Sequence, residues 1–199
     1  MAFEGAQRIP SRKLDLYIRR DFLSAEECAA VIAMIDANRR PSQIADDIGD
    51  YAFRTSETCD FDTRHPLIRT LDARIADYLG QDVGLGEPMQ GQRYAAGQEF
   101  KLHTDYFEPD GPDYQRFCGL TGQRTWTAMI YLNQPTAGGA TRFKMIDKIV
   151  QPEAGKLLCW SNMRDGRPNP DTLHHGMKVR AGVKYVITKW FRERPWAVG

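Results

Sequence analysis

The chain has 199 residues, with 27 basic and 26 acidic side chains and a formal net charge of +1. A chain of this length can bury a full hydrophobic core without a disulfide or metal to hold it. The near-zero charge argues against a protein built to coat nucleic acid or an anionic membrane, and no run reaches the roughly 18 apolar residues of a membrane span.

The first eighty residues read as helical. Ser24 and Glu27 form a capping box, each side chain satisfying an orphan amide at the helix start. Cys28, Val31, Ile32 and Ile35 then follow at i, i+3, i+4 and i+7, an apolar stripe that Pro41 stops. A second helix starts near Pro66, carries Leu67, Ile68, Leu71, Ile75 and Leu79 on one side, and ends at Gly80. Between them Pro41–Arg64 is polar, acidic and aperiodic, a loop of a length often used as a lid.

From Met89 the pattern changes to strands: Thr125–Leu132, Lys156–Trp160 and Val183–Trp190, rich in β-branched and aromatic residues. Gly/Pro clusters separate them, at Gly111-Pro112, Gly138-Gly139, Pro152–Gly155 and Arg167–Pro170. Short strands with turns and no alternating helices predict a sandwich or jelly roll. The four cysteines (28, 59, 118 and 159) are scattered without CxxC spacing, and Met1–Pro10 holds no apolar signal region. Free thiols and a cytoplasmic location are expected.

His103-Thr104-Asp105 is the first chemical candidate. On an extended segment, side chains two residues apart share a face and can reach one ion. Alone this is a common chance pattern. His174 lies 69 residues beyond Asp105, and two histidines with one carboxylate form the facial triad of non-haem Fe(II), leaving open positions. Lys184 sits ten residues further in an apolar, aromatic strand, where a lysine must pair with an anion or snorkel to water. A dicarboxylate co-substrate is a natural partner.

Read together, these segments resemble the prolyl 4-hydroxylase branch of the Fe(II)/2-oxoglutarate dioxygenases, including the catalytic domain of the collagen prolyl hydroxylase α-subunit. The resemblance is carried by Arg93–Phe100, His103–Phe107, Gln123-Arg124-Thr125, Tyr131-Leu132-Asn133, Gly138–Phe143, Pro152–Gly155 and Leu173–Gly176. Val179, Gly182, Lys184 and Trp190 continue it in register, and it reaches back to Phe22–Cys28 and Arg54-Thr55-Ser56. It implies a mainly β fold with flanking helices: a double-stranded β-helix (jelly-roll) core, residues 85–199, with 1–84 as helical support and substrate loop of one domain. It implies Fe(II) on His103, Asp105 and His174, and 2-oxoglutarate paired through its distal carboxylate with Lys184 and seated by Tyr94 and Thr141. Trp190 matches a pocket aromatic, Arg124 a residue near the substrate, and the Arg54 segment a mobile loop that closes over a peptide. The reaction implied uses O2, with ascorbate as a helper. It hydroxylates an unactivated C–H while 2-oxoglutarate is split to succinate and CO2.

The family register places the lysine ten residues after the distal ligand. It therefore selects His174 over His175, which faces the other side of a strand. His65, just before Pro66, reads as part of a helix start, with no partner in view. Phe100 stands where relatives often carry a tyrosine, keeping the shape and losing a donor, and Leu102 replaces a common proline. A Zn(II) hydrolase could use the same three ligands but leaves Lys184 without a role. A non-catalytic binding module would show a substituted ligand, and none is substituted. The expected partner is a peptide or protein carrying proline, with a free amino acid or small metabolite as the alternative; Pro41–Arg64 and Tyr106–Gly122 could clamp an extended peptide. Oligomeric state is left open.

Overall fold

The computed structural model describes residues 2–42 and 54–196. In chain order the strands are β1 (Gln7–Arg8), β2 (Leu16–Arg19), β3 (Arg40–Pro41), β4 (Glu57–Asp60), β5 (Gln90–Tyr94), β6 (Phe100–His103), β7 (Arg124–Tyr131) and β8 (Ala137–Gly138). They continue as β9 (Thr141–Phe143), β10 (Lys148–Val150), β11 (Leu157–Ser161), β12 (Met163–Arg164), β13 (Arg167–Pro168), β14 (His174–Gly176), β15 (Val179–Ala181) and β16 (Lys184–Arg192). The helices are α1 (Ala25–Asn38), α2 (Pro66–Leu79) and the short α3 (Tyr114–Cys118). An eight-stranded sheet runs β1-β2-β11-β7-β16-β5-β4-β3, and a four-stranded sheet runs β10-β9-β14-β6. Their facing sides share one core, so the chain forms a jelly roll with helices on the outer face of the larger sheet.

Side-chain alternation assigns the two faces of that larger sheet. On β7, Ala128 and Ile130 join the helix-side core, while Met129 and Tyr131 join the core between the sheets. On β11, Leu157 and Cys159 face the helices, and Leu158 and Trp160 face inward. With both faces covered, these central strands read as near-continuous apolar runs.

The helices form where their caps and stripes place them. The Ser24 hydroxyl accepts from the Glu27 amide at 3.2 Å, and the Glu27 carboxylate accepts from the Ser24 amide at 2.9 Å. Glu27 also holds Arg74 of α2 through bonds of 2.6 and 3.0 Å, tying the two helices together. Cys28, Val31 and Ile35 are buried on α1, and Ile68, Leu71, Ile75 and Leu79 on α2. Gly80 closes α2 in the left-handed conformation, φ 64°. Gly91 of β5 lets α1 approach: a Cβ there would sit 2.5 Å from Ile35 and 2.8 Å from Phe61.

Two expectations are corrected. The first eighty residues are not uniformly helical, because β1–β4 also lie there and extend the larger sheet at both ends. Each of these strands has two to four residues, too few for alternation to stand out. His65 stands at the start of α2 as expected but does have a partner: as the N-cap, its Nδ1 accepts from the Leu67 amide at 3.2 Å. Of the loop expected over Pro41–Arg64, Pro41 ends β3 and Glu57–Asp60 forms β4, while 43–53 lie outside the described residues. Within Tyr106–Gly122 the chain forms α3. The four cysteines are free and buried, and no described helix is long and apolar enough to cross a membrane.

Candidate metal and keto-acid site

Strand register assembles the site. His174 is the Cα partner of His103 on β6 and of Phe143 on β9, so the central strand of the smaller sheet brings the two histidines together. Asp105 follows His103 by two residues. The ligand atoms of His103, Asp105 and His174 lie within 4.8 Å of one another, the one such cluster among the described residues.

The surroundings orient each ligand. His103 Nδ1 is 2.7 Å from the Lys101 carbonyl, and His174 Nδ1 is 3.0 Å from the Thr172 carbonyl. A carbonyl only accepts, so each Nδ1 donates to it and Nε2 is the ring nitrogen left to face an ion. Thr127 donates to Asp105 Oδ2 at 2.7 Å and itself accepts from Asn162 at 2.9 Å. The other oxygen, Oδ1, is left 3.7 Å from His103 Nε2. Burial, with His174 opposite, lowers His103 to about 3, so its imidazole is neutral. Burial pushes the Asp105 carboxyl up, but His174, His103 and Arg124 outweigh it and keep the group ionised. Two imidazoles and one carboxylate fit a divalent ion that prefers mixed N and O ligands.

Trp160 packs edge-on against the His174 ring at 4.9 Å, and Phe100 stacks on His103 at 3.5 Å. Phe100 thus braces a ligand with its face. The Arg54 guanidinium lies 4.8 Å above the same ring, at the rim of the cleft.

Lys184 closes the other end. It is the Cα partner of Tyr94 across β16 and β5 and is 3% exposed. Its ammonium sits 5.2 Å from the ring centroids of both Tyr94 and Tyr131. No carboxylate pairs with it among the described residues, and burial lowers its pKa to about 7. A cation caged by two aromatic rings without an anion is a ready carboxylate receptor. The Tyr131 and Thr141 hydroxyls lie 2.6 Å apart, and Tyr131 also reaches the Val150 carbonyl at 3.2 Å.

His103, Asp105, His174, Lys184, Tyr94, Thr141 and Trp190 all line one cleft. Arg124 does not line it; it stands one layer back. Its guanidinium lies 4.0 Å over the Trp190 ring, holds Glu87 through bonds of 2.6 and 2.9 Å, and donates to the Asp105 carbonyl at 3.3 Å. Glu87 also pairs with Arg192 at 2.6 Å. Burial alone would raise Glu87, and these two guanidiniums hold it below the usual carboxylate range. His175 points away from the triad and meets Glu99 at 2.9 Å.

Sequence reasoning missed Gln92, Thr127, Tyr131, Trp160 and Thr188 as site residues. The available signal was alternation: Lys184, Val186, Thr188 and Trp190 share the inner face of β16 and all line the cleft.

A family model, the 2OG-Fe(II) oxygenase superfamily, matches residues 89–192. This chain belongs to that superfamily. The matched span runs through β5 to β16 and holds every cleft residue named above except Arg54. Among curated relatives, prolyl 4-hydroxylase subunit alpha-1 of Rattus norvegicus is 35% identical over 130 residues, covering 65% of this chain and 24% of that protein. Subunit alpha-3 of Rattus norvegicus is 32% identical over 197 residues, covering 92% of this chain and 36% of that protein. The chain therefore spans only a quarter to about a third of these relatives. The viral collagen prolyl hydroxylase of Paramecium Bursaria Chlorella virus-1, solved as a 2OG complex, superposes with a TM-score of 0.70 at 26% identity. That match covers 89% of this chain and 95% of the viral one. A Trichoplax adhaerens prolyl hydroxylase, solved with a hypoxia inducible factor peptide, shares the fold at TM-score 0.67 and 17% identity. The oxygenase is thus prolyl 4-hydroxylase-like, and its donor set suits the superfamily's iron.

Proposed function

We propose that this oxygenase hydroxylates peptidyl proline, using Fe(II), 2-oxoglutarate and O2, with ascorbate as reductant. The observation that carries the reading is one cleft with a two-histidine, one-carboxylate triad and an unpaired buried lysine both in its lining. In that reading His103 Nε2, Asp105 Oδ1 and His174 Nε2 hold the metal, and Lys184 neutralises the distal carboxylate of 2-oxoglutarate. When bound, the metal with its keto-acid co-substrate supplies the oxidising chemistry that converts C–H to C–OH as 2-oxoglutarate becomes succinate and CO2.

The chain's own residues bind, orient and exclude water. Thr172, Lys101 and Thr127 fix the ligands before any metal arrives, so little reorganisation is needed on binding. Tyr94, Tyr131 and Thr141 wall the lysine end, keeping its charge in a low dielectric where a carboxylate pairs strongly. Trp190 is held flat by Arg124 and keeps one wall of the cleft closed to solvent. Arg54 and Phe100 stand at the rim, where a peptide would enter.

A peptide substrate is supported by the prolyl 4-hydroxylase relatives and by the peptide named with the Trichoplax structure. The test is incubation with proline-containing peptides, iron, 2-oxoglutarate and ascorbate under isotopically labelled O2. The expected result is one labelled oxygen on a proline and a matching yield of succinate. Labelling of a free amino acid or small metabolite instead, with every peptide unmodified, would refute the peptidyl-proline reading.

A further inference from the structure

Among the described residues, three buried side-chain N–H groups in the cleft lining lack a hydrogen-bond partner: Gln92 Nε2, Trp160 Nε1 and Trp190 Nε1. An unpaired buried donor costs stability, so such a group persists where a ligand completes it. Of the three, Gln92 is the most deliberately placed. It is 2% exposed, and its Oε1 accepts from the Thr188 hydroxyl at 3.0 Å. That bond fixes the amide plane and leaves the NH2 group as the free end.

Register locates it along the cleft. Tyr94, two residues on, is the Cα partner of Lys184, while Gln92 is opposite Val186 and leans to Thr188. Trp190, the next inward residue of β16, is the Cα partner of Thr127, which holds the metal ligand Asp105. Gln92 therefore stands between the lysine end and the metal end.

The two methylenes in the middle of 2-oxoglutarate accept no hydrogen bond, and the Gln92 amide leans to Thr188, away from the Lys184–Tyr94 pair; we propose that Gln92, braced by Thr188, donates a hydrogen bond to the carboxylate of the keto-acid end of 2-oxoglutarate. This rests on the function proposed above. It makes Gln92 a co-substrate-binding residue on the metal side of Lys184, and Thr188 a positioning residue that acts through it.

The test is calorimetric titration of 2-oxoglutarate into the full chain loaded with Mn(II), without oxygen. Gln92→Leu is expected to weaken binding roughly tenfold, the loss of one hydrogen bond to a charged acceptor. Thr188→Val, which frees the amide, is expected to weaken it by about two- to threefold. The unliganded Gln92→Leu protein should melt no lower than the wild type, because it removes an unsatisfied buried amide; a purely structural Gln92 would melt lower. Equal 2-oxoglutarate affinity in Gln92→Leu and wild type overturns the assignment, and a raised peptide KM alongside that equality moves the contact to the substrate. A wild type that binds Mn(II) but no 2-oxoglutarate overturns the proposed function and this inference together.

Discussion

His174 and His103 are direct partners across the antiparallel β14–β6 pair, and their ring centroids are 4.2 Å apart. Neighbouring side chains on a strand face opposite ways, so the same register sends His175 to Glu99 on the other side. His174→Ala should therefore abolish stoichiometric Fe(II) or Mn(II) binding, while His175→Ala should retain it within about threefold. Metal titration monitored by calorimetry separates them. Loss of binding in both variants would show that the doublet is not divided in this way.

Thr127 acts on the metal through Asp105. Its hydroxyl holds Oδ2 and is itself held by Asn162, so a single methyl-for-hydroxyl exchange releases the carboxylate. Thr127→Val is expected to lower metal affinity by about 10–100-fold with the fold intact, the usual loss for an outer partner of a ligand. Competition with a chromogenic chelator measures it, and an unchanged affinity would contradict the role.

Lys184 sets a pH dependence. Its pKa in the unliganded cleft is about 7, and the cationic form is the one that attracts a dicarboxylate. Below pH 7 the lysine is already charged and 2-oxoglutarate affinity should be level. Above pH 7 binding must first protonate it, so affinity should fall by up to tenfold per pH unit until the pKa of the bound state is passed. Titrations across pH 6–9 with matched proton-uptake measurements read this directly, and an affinity that holds level across that range would contradict it.

The same burial makes Lys184 costly to the empty protein. An unfolded lysine stays protonated up to its ordinary value of 10.5, so between 7 and 10.5 the unfolded chain binds more protons and stability rises with pH. The destabilisation is full below pH 7. Lys184→Met should raise unliganded stability at or below pH 7 by about 2–4 kcal/mol, a gain that shrinks toward pH 10, and should weaken 2-oxoglutarate binding severely. Urea denaturation at several pH values checks the sign.

Glu87 holds two buried guanidiniums at once, Arg124 and Arg192. Glu87→Gln leaves both without their anion and is expected to cost about 3–5 kcal/mol of stability. It should also loosen Trp190, which Arg124 covers, giving a red-shifted tryptophan emission as water enters. A variant as stable as the wild type would show that the cluster is not held by charge.

Much of this architecture was legible in the sequence, for reasons that differ by element. The capping box at Ser24, the stripe through Val31 and Ile35 and the stop at Gly80 are local signals, and α1 and α2 follow them closely. The strands around Ile130, Leu158 and Ile187 are long and apolar enough to read alone. β1 to β4 were hidden because strands of two to four residues near the ends of a sheet take their register from the strands they join. At the site, a lysine in an apolar strand is locally unusual, whereas His103, Asp105 and His174 became legible only in combination with Lys184 and the family-like segments around them. Thr127, Gln92 and Glu87 did not stand out. Their roles come from pairings across the sheets, with partners 22, 96 and 37 residues away. Arg124 was legible as a residue near the site, while its position behind Trp190 depends on Glu87, which no local pattern links to it.

The most direct measurement is optical. Fe(II) and 2-oxoglutarate added to the protein without oxygen should give the visible charge-transfer absorption of a keto acid chelated to iron. The wild type is predicted to show that band at one equivalent of each, with His174→Ala losing it and Lys184→Met requiring far more 2-oxoglutarate. A wild type that binds Fe(II) yet shows no such band at saturating 2-oxoglutarate would contradict the assignment of His103, Asp105, His174 and Lys184 to one oxygenase centre.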